Sequence, residues 1–178
     1  MIVGVAGKIG SGKDECGEYL KDHFGFTIIK FATIIKKVAV QMTGEPYGTQ
    51  TSQIGKQKYL DDWGMTVREF QQKLGTDAVR DGLHKDAWVI ATLKDYNPDS
   101  DRWVVTDTRF PNEADKIKKL GGWVVNVERP ANPFPQSDHE SETALDGYNF
   151  DFTLDNIHGI NYLKGQVELF CRQANIKR

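Results

Sequence analysis

The sequence predicts an α/β fold in which helices cover both faces of a mostly parallel sheet. Short apolar runs typical of buried strands alternate with segments whose apolar residues recur at helical spacing, and this alternation favours a parallel sheet. A glycine-rich loop joins the first apolar run to the first helical segment. The length of 178 residues suits one domain with a core of its own. We therefore predict a single domain over residues 1–178, interrupted by two long loops.

The first half of the chain contains two strand–helix pairs and one long polar segment. Gly25 and Gly44 follow helical patterns and are expected to end them. The segment 44–64 is rich in Gly, Pro, Thr, Ser and Gln, so we predict an irregular loop there, mobile or on the substrate side. The predicted elements are strands at 2–6 and 26–31 and helices at 14–24 and 33–42.

The second half begins with two helices and then returns to alternating strands and helices. Residues 97–100, Asn-Pro-Asp-Ser, predict a turn. Residues 130–148 form a second long polar segment, which we predict to be a lid-like loop. The predicted elements are helices at 65–79, 85–96, 111–120 and 159–174 and strands at 103–106, 123–127 and 152–154.

Charge and cysteine content exclude several classes of protein. The formal net charge of −2 offers no broad basic field, so a polymeric nucleic acid is not an expected partner. Cys16 and Cys171 have no cysteine neighbours in sequence, which argues against a disulfide framework or a zinc site. No apolar run reaches 18 residues and no signal segment is evident, so we predict a soluble cytoplasmic protein without a membrane partner.

The first loop has the spacing of a phosphate-binding loop. Gly7, Gly12 and Lys13 match G-x-x-x-x-G-K between a predicted strand and a predicted helix. Glycines let the backbone fold closely around phosphate oxygens, the helix N-terminus favours negative charge, and the lysine supplies a point charge. Ser11 adds a hydroxyl within this loop. We therefore predict that the loop binds the phosphates of ATP.

Asp14 occupies the position where such loops usually carry the Ser or Thr that binds magnesium. A carboxylate here would be repelled by bare phosphate but is favourable when a cation, or water on that cation, lies between them. It could equally be a first-turn acid that stabilises the helix N-terminus. Both interpretations stay open.

A second group of charged residues follows the strand predicted at 103–106. An acid at the carboxyl end of a parallel strand lies where open α/β sheets bind ligands, and Asp107 has this position. Arg109 could bind a phosphate with two hydrogen bonds, and Glu113 falls in the first turn of the next predicted helix. The alternative is a surface ion pair with a helix cap.

The helix predicted at 65–79 carries a polar face beside its apolar stripe. An arginine, an amide and a hydroxyl at helical spacing could bind a monophosphate and the edge of a base. A solvated face with a tolerated glycine, and a tryptophan that belongs to the core, are the alternatives. The residues of this candidate substrate site are Arg68, Gln72, Gly75, Thr76, Arg80 and Trp88.

Taken together, these motifs identify a family. The chain resembles the bacteriophage-type deoxynucleoside monophosphate kinases, which are P-loop NTPases of the nucleoside monophosphate kinase fold. The resemblance implies a parallel-sheet core with NMP-binding and lid insertions. The matching segments are GKIGSGKD at 7–14, KFA at 30–32, VREFQQKLGTDAVRD at 67–81, DAW at 86–88, VVTDTRFPNEAD at 104–115 and HESE at 139–142.

The resemblance also implies an activity and assigns roles to residues. It implies transfer of the γ-phosphoryl group of ATP to a deoxynucleoside monophosphate (dNMP), giving dNDP and ADP, with Mg²⁺ held by Asp14 and Asp107 through water. Lys13, Asp107, Arg109 and Glu113 are the expected catalytic residues. The expected ATP-side residues are Gly10, Ser11, Gly12, Lys13, Asp14 and Glu15. Arg129, at the end of the strand predicted at 123–127, could also contact the nucleotide, and the alternative is a surface charge.

The family usually has Asp followed by Thr after the lysine, whereas this sequence has Asp14 followed by Glu15. The departure removes a hydroxyl that could help to bind magnesium. The acidic segment 137–142 surrounds His139 and is open to two interpretations, a metal site or a solvated lid segment.

Other functions fit part of this pattern. A kinase of the same fold that acts on dephospho-coenzyme A or phosphomevalonate is one alternative, and a nucleotide-binding module without catalysis is another. The sequence leaves the accepted bases and the oligomeric state open, a homodimer included. If a phage encodes the protein, it is expected in the host cytoplasm.

Overall fold

The computed structural model describes residues 1–130, 133 and 140–178, which form two compact units. The sheet unit consists of Met1–Lys30 and Tyr96–Arg178, and the helical unit consists of Phe31–Asp95. The strands are β1 Ile2–Ala6, β2 Thr27–Ile29, β3 Tyr59–Leu60, β4 Met65–Thr66, β5 Trp103–Val105, β6 Trp123–Glu128 and β7 Phe152–Asp155. The helices are α1 Lys13–Phe24, α2 Ala32–Thr43, α3 Tyr47–Thr51, α4 Val67–Gln72, α5 Ala87–Leu93, α6 Pro111–Lys119, α7 Glu140–Thr143 and α8 Ile160–Gln173.

The sheet unit is built on five parallel strands in the order β2-β5-β1-β6-β7. This arrangement confirms the α/β fold with a parallel sheet. The central strand β1 pairs with β5 on one side and with β6 on the other, in a register that places Ile2 beside Trp103 and Val3 beside Trp123. The loops that follow β1, β5 and β6 therefore leave the sheet at the same edge, where parallel α/β sheets bind ligands.

Strand β1 is buried on both faces, which explains its unbroken apolar sequence. Val3 and Val5 belong to the core that contains Leu20 of α1 and Phe170 of α8. On the opposite face a Cβ atom at Gly4 would lie only 2.6 Å from Cδ1 of Ile117, so a glycine there allows α6 to pack closely. Burial on both faces fixes the position from which the phosphate loop starts.

The helical unit has a smaller core between α2 and α4. Ala39, Val67, Phe70 and Leu74 are buried together, and Ile35 packs against them. The predicted helix ends at Gly25 and Gly44 are confirmed, because both glycines have the left-handed conformation that closes a helix.

The segment 44–64 is not irregular, contrary to the prediction, while its mobility or place on the substrate side stays a prediction. This segment contains α3, two 3-10 turns at Gly55–Gln57 and Asp61–Trp63, and β3, which forms an antiparallel hairpin with β4. Its polar side chains make internal hydrogen bonds: Gln50 is fully buried, donates to the hydroxyl of Thr43 at 3.2 Å and accepts from Gln71 at 2.7 Å. The polar composition of the segment suggested a solvated loop, because the partners that allow Gln50 to be buried lie outside the segment, at Thr43 and Gln71.

The helix predicted at 65–79 differs at both ends. Residues 65 and 66 form β4, and α4 begins at Val67 because Thr66 caps it, with its hydroxyl accepting from the N–H of Glu69 at 3.2 Å. From Lys73 to Asp81 the backbone continues as a π-helix, which is wider than an α-helix. The helix predicted at 85–96 is shorter, Ala87–Leu93, and the strand predicted at 26–31 is shorter, Thr27–Ile29.

The second polar segment, 130–148, is described only in part. Residues 131–132 and 134–139, which include His139, lie outside the described residues. Both interpretations of the acidic segment 137–142, a metal site and a solvated lid segment, therefore stay open. Residues 140–143 form the short helix α7, followed by turns over 144–147. The lid-like character of the segment stays a prediction, as does the single domain over 1–178.

Candidate active site

The loop between β1 and α1 has the backbone conformation that a phosphate loop requires. Gly7, Gly10 and Gly12 have φ angles of 141°, 73° and 113°, which side chains rarely allow. A Cβ atom at Gly7 would also lie 2.5 Å from the carbonyl oxygen of Val127. The glycines predicted from the motif are therefore needed for the conformation and for the close approach of β6.

Lys13 begins α1 and folds back over the loop. Its ammonium group donates to the carbonyl oxygens of Gly7 at 2.7 Å and Lys8 at 2.8 Å. Burial lowers the pKa of Lys13 to about 8, Arg109 contributes in the same direction, and the carboxylates at 142, 14 and 107 oppose it. The lysine is thus held above the loop by weak carbonyl acceptors, which an anionic phosphate can replace.

Ser11 supports the loop from inside the protein. Ser11 is only 1% exposed. Its backbone N–H donates to the carbonyl oxygen of Lys8 at 3.1 Å, and its backbone carbonyl accepts from the side-chain amide of Asn156 at 2.8 Å. Asn156 follows β7, so this contact joins the phosphate loop to the edge strand of the sheet. The Ser11 hydroxyl lies beneath the loop rather than on its surface, and its predicted contact with ATP stays a prediction.

Asp14 lies in the first turn of α1 with two partners in the sheet unit. Its carboxylate accepts from Lys30 at 2.6 Å and from the hydroxyl of Thr106 at 3.3 Å. Burial acts to raise the pKa of Asp14, but the hydrogen bond and charge of Lys30, with Thr106 and Lys13, lower it overall. Asp14 is therefore ionised at neutral pH. Glu15 is exposed in the same turn, where an acid is favourable beside the helix N-terminus.

Asp107, Arg109 and Glu113 lie at the carboxyl end of β5, as predicted. Asp107 is half-buried and close enough to Lys13 for its charge to raise the lysine pKa. Glu113 is buried, and its carboxylate accepts the backbone N–H groups of Arg109 at 2.7 Å and Phe110 at 3.1 Å. Glu113 therefore fixes the turn that carries Arg109, and its catalytic role stays a prediction.

The guanidinium of Arg109 pairs with Glu142, which the sequence placed in the acidic segment 137–142 without indicating this partner. Nη1 of Arg109 donates to Oε1 of Glu142 and lies 3.4 Å from the hydroxyl of Ser141. The other carboxylate oxygen of Glu142 accepts the N–H of Ile9 in the phosphate loop at 3.0 Å. The segment that begins with α7 is thus attached both to the loop and to the predicted catalytic arginine.

Arg129 follows β6 and also contacts the loop, with Nη1 donating to the carbonyl of Gly10 at 3.1 Å.

A cavity of about 900 Å³ lies beside Arg109, Arg129 and Glu142, and its lining residues all belong to the sheet unit. It borders the loop at Gly7 and Lys8, not at Lys13, so it adjoins the expected phosphate position without containing it. Charged and aromatic residues on its wall include Arg109, Arg129, Glu142 and Tyr148.

The residues predicted for the substrate side lie in the helical unit. Arg68 is half-buried at the start of α4, and its Nη2 donates to the side-chain oxygen of Gln53 at 3.0 Å. Gln72 ends α4, whereas Thr76 and Arg80 belong to the π-helix and are half-buried. The π-helix is wider, so the angle between successive side chains changes after residue 72. The polar face predicted with α-helical spacing therefore holds only for Arg68 and Gln72.

Gly75 is buried, and its close neighbour is a side chain of the same unit. A Cβ atom at Gly75 would lie 3.1 Å from Cδ1 of Ile35, while its carbonyl accepts from the indole N–H of Trp88 at 2.8 Å. The close neighbour that this glycine accommodates in the structure is thus Ile35. Direct contact of Gly75 with substrate stays a prediction.

Three supporting residues could not be assigned from the sequence. Lys30 lies in the segment KFA and Thr106 in VVTDT, so both belong to motifs that carried the resemblance, but their contact with Asp14 depends on β2 lying beside β5. Glu142 lies in HESE, and its contact with Ile9 spans 133 residues. No local pattern indicates which partner such a carboxylate has.

In the part of the chain that the structure describes, no helix is long and apolar enough to cross a membrane.

Comparisons with known proteins agree with this geometry. The family model described as deoxynucleotide monophosphate kinase matches residues 41–167. A protein of Acanthamoeba polyphaga mimivirus, provisionally named a deoxynucleotide monophosphate kinase, is 33% identical, with 94% of each chain covered. The deoxynucleoside-5'-monophosphate kinase of Escherichia phage T5 is 24% identical, with 96% of each chain covered.

Among solved structures, dephospho-CoA kinase from Campylobacter jejuni superposes with a TM-score of 0.52 at 14% identity, covering 97% of this chain and 96% of that chain. At this identity the likeness concerns the fold alone, and it confirms the P-loop kinase fold expected from the phosphate loop. The relatives confirm the resemblance to viral and phage kinases and the assignment to a kinase enzyme. From its phosphate loop and from these relatives we conclude that the chain belongs to the deoxynucleotide monophosphate kinase family.

Proposed function

We propose that this protein transfers the γ-phosphoryl group of ATP to a deoxynucleoside monophosphate, giving a deoxynucleoside diphosphate and ADP. The observation that carries this proposal is the phosphate loop with Lys13 folded over it, beside Asp107 and Arg109 at the end of the neighbouring strand. The names of the relatives supply the acceptor class. The chemistry needs little more than positioning and neutralisation of charge.

The ATP side of the reaction uses the sheet unit. The loop from Gly7 to Gly12 provides backbone N–H groups, and the N-terminus of α1 adds its dipole. Lys13 exchanges its two carbonyl acceptors for oxygens of the β- and γ-phosphates. Because the lysine is desolvated, its interaction with phosphate is stronger than it would be in water.

Phosphoryl transfer then needs an attacking oxygen in line with the leaving group. A non-bridging oxygen of the acceptor phosphate forms a bond to the γ-phosphorus, while the bond from that phosphorus to the β–γ bridging oxygen breaks and its electron pair leaves on ADP. Phosphate is already ionised at neutral pH, so no strong general base is required. Arg109 offsets the negative charge as the two phosphates approach, and Glu113 holds its backbone in place.

The residues present at this edge of the sheet fit a magnesium ion bound with ATP. Mg²⁺ is usually held by one or two carboxylates, substrate phosphates and several waters. Asp14 is ionised, and Asp107 is close to Lys13, so both carboxylates could hold the ion through water. Bound magnesium supplies neutralisation of charge on the β- and γ-oxygens. Glu15 occupies the position of the family's Thr, and we propose that water takes the place of that hydroxyl.

The acceptor side of the reaction uses the helical unit. Arg68 provides a cation for the acceptor phosphate, the Gln72 amide and the Thr76 hydroxyl can read a base edge, and the Trp88 ring can stack on the base. Arg80 supplies a second cation one turn later. A cytoplasmic location and a homodimer stay predictions.

The test is an ADP-release assay across dNMPs and NMPs, with and without magnesium, that includes dephospho-coenzyme A and phosphomevalonate as rival acceptors. We expect magnesium-dependent turnover with at least one dNMP. Turnover only with a rival acceptor would assign the protein to another kinase specificity, and ATP binding without turnover on any acceptor would assign a binding module.

Two substitutions test the roles in the reaction. Lys13→Ala should abolish dNDP formation, because it removes the charge held over the loop. Arg109→Ala should lower kcat far more than it weakens ATP binding, because the arginine acts as charge develops. ATP binding weakened with kcat intact would place Arg109 on the ATP-binding side instead.

A further inference from the structure

We propose that Glu142 is a positioning residue that holds the guanidinium of Arg109 for phosphoryl transfer. This inference rests on the proposed function and gives Glu142 a role other than the metal site or solvated lid segment considered for residues 137–142. It depends on contacts within the sheet unit.

The carboxylate of Glu142 uses both of its oxygens. Oε1 accepts from Nη1 of Arg109, and Oε2 accepts the backbone N–H of Ile9 at 3.0 Å. The Glu142 side chain is only 10% exposed, whereas the Arg109 side chain is 37% exposed, so the carboxylate end of the pair is shielded from water and the guanidinium keeps a solvent-facing side. One carboxylate thus fixes the position of the arginine head group relative to the phosphate loop.

The backbone of Glu142 is anchored as well. Lys8 in the phosphate loop donates from its ammonium group to the carbonyl oxygen of Glu142 at 2.6 Å and also pairs with Asp146. Two adjacent residues of the loop therefore hold the same segment, Lys8 through its side chain and Ile9 through its N–H. The backbone and the carboxylate of Glu142 are consequently both held by hydrogen bonds.

Arg109 is then held at its backbone and at its guanidinium. Glu113 accepts the backbone N–H of Arg109, and Glu142 accepts from the guanidinium. A free arginine side chain has many rotamers, and holding it in one of them costs conformational entropy. An arginine that is already ordered does not have to lose this freedom during the reaction, and preorganised charge is what stabilises a transition state best.

Pairing with Glu142 does not prevent Arg109 from binding phosphate. A guanidinium has five N–H donors in a planar fork, whereas the contacts to Glu142 and Ser141 both use Nη1. The remaining edge can bind a phosphate oxygen while the pair to Glu142 persists. The alternative is a carboxylate plug: Glu142 would occupy the Arg109 guanidinium and the Ile9 N–H in place of a phosphate and would have to leave before ATP binds. The experiment below distinguishes this plug from the positioning role.

The test compares Glu142→Gln with a control on the same short helix, Glu140→Gln, whose side chain is exposed. Both changes remove one negative charge with almost no change in shape. We expect Glu142→Gln to lower kcat by roughly 10- to 100-fold, since small misplacements of a reacting group have effects of this size. ATP affinity, measured by calorimetry, should change little, and Glu140→Gln should match the wild type in both quantities.

A double-mutant cycle shows whether the effect passes through Arg109. In an Arg109→Ala background, Glu142→Gln should cause no further loss of kcat, because the group that it positions is gone. Full additivity of the two losses would overturn the proposal. Tighter ATP binding with a higher kcat in Glu142→Gln would also overturn it and would establish the plug.

Two further outcomes are distinguishable. If wild type and Glu140→Gln release no ADP with any dNMP, the proposed function fails, whereas normal kcat in Glu142→Gln beside an active wild type overturns only the positioning role. Should Glu142→Gln unfold, Glu142→Asp replaces it, because it keeps the charge but shortens the side chain by one methylene. A loss of kcat at unchanged ATP affinity then supports the proposal, and unchanged kcat overturns it.

Discussion

The indole N–H of Trp88 donates a 2.8 Å hydrogen bond to the carbonyl oxygen of Gly75. The bond joins α5 to the π-helix within the helical unit and fixes the edge of the indole. This hydrogen bond uses the edge of the ring and not its faces, and base–aromatic stacking on such a face is worth about 1–3 kcal/mol per base. The contact explains how one tryptophan can be both a structural residue and a candidate platform for a base.

Trp88 therefore allows stacking and hydrogen bonding to be separated. Trp88→Phe removes the hydrogen bond but keeps an aromatic ring, whereas Trp88→Ala removes both. Both variants should lose about 1 kcal/mol of unfolding free energy from the unpaired Gly75 carbonyl, with a larger loss in Trp88→Ala, measured by urea denaturation. The KM for dNMP should rise by roughly 5- to 150-fold in Trp88→Ala and much less in Trp88→Phe. Equal KM values in the two variants would exclude stacking.

The pKa of Lys13 predicts a basic limit to ATP capture. Because burial lowers this pKa to about 8, the ammonium group of the free enzyme loses its proton as the pH rises through 8. We expect kcat/KM for ATP to fall above about pH 8, while kcat persists to higher pH, since bound phosphates favour the protonated lysine. Lys13→Arg provides the control: its guanidinium stays charged, so whatever activity remains should lack this basic limb.

The cap of α4 predicts a local effect on stability. Thr66→Ala removes the hydroxyl that accepts the N–H of Glu69, and the loss of such a cap costs about 1 kcal/mol of unfolding free energy. Thr66→Ser is the matched control, because it keeps the hydroxyl, and it should restore most of the lost stability. Chemical denaturation monitored by circular dichroism gives both values. Equal stabilities of the Ala and Ser variants would mean that the cap contributes nothing.

The two cysteines should be unreactive in the folded protein. Burial raises the pKa of Cys16 and of Cys171 to about 12, so only roughly one thiol in ten thousand is ionised at pH 8. We expect negligible reaction with Ellman's reagent in native buffer and two reactive thiols per chain in guanidinium chloride. Rapid labelling of either thiol in native buffer would contradict the burial of Cys16 on α1 or of Cys171 on α8.

Features that depend on local chemistry could be predicted from the sequence. Gly25 and Gly44 end helices because a glycine adopts the left-handed conformation easily, and this requires no knowledge of distant residues. The phosphate loop is predictable for the same reason, since its glycines serve the backbone conformation of the loop itself. The sheet order follows less directly, but strands alternating with helices already imply parallel pairing.

Features that depend on distant partners could not be predicted. Gln50 looks like a loop residue until its partners Thr43 and Gln71 are known, and burial of its amide is then favourable. The π-helix after Gln72 changes the spacing on which the polar face was drawn. The same limit applies to Glu142, because its two partners lie on different loops at the edge of the sheet.

The central place of β1 has a consequence for the order of events during translation. Among the described residues, β1 pairs with strands around residues 103 and 123, so a nascent chain that ends before those residues lacks these two neighbours of β1. The helical unit, by contrast, is one uninterrupted stretch, Phe31–Asp95, and is complete on the ribosome earlier. We therefore expect the phosphate loop to be translated before the strands that pair with β1 and to take its nucleotide-binding shape only after residues around 123 have emerged.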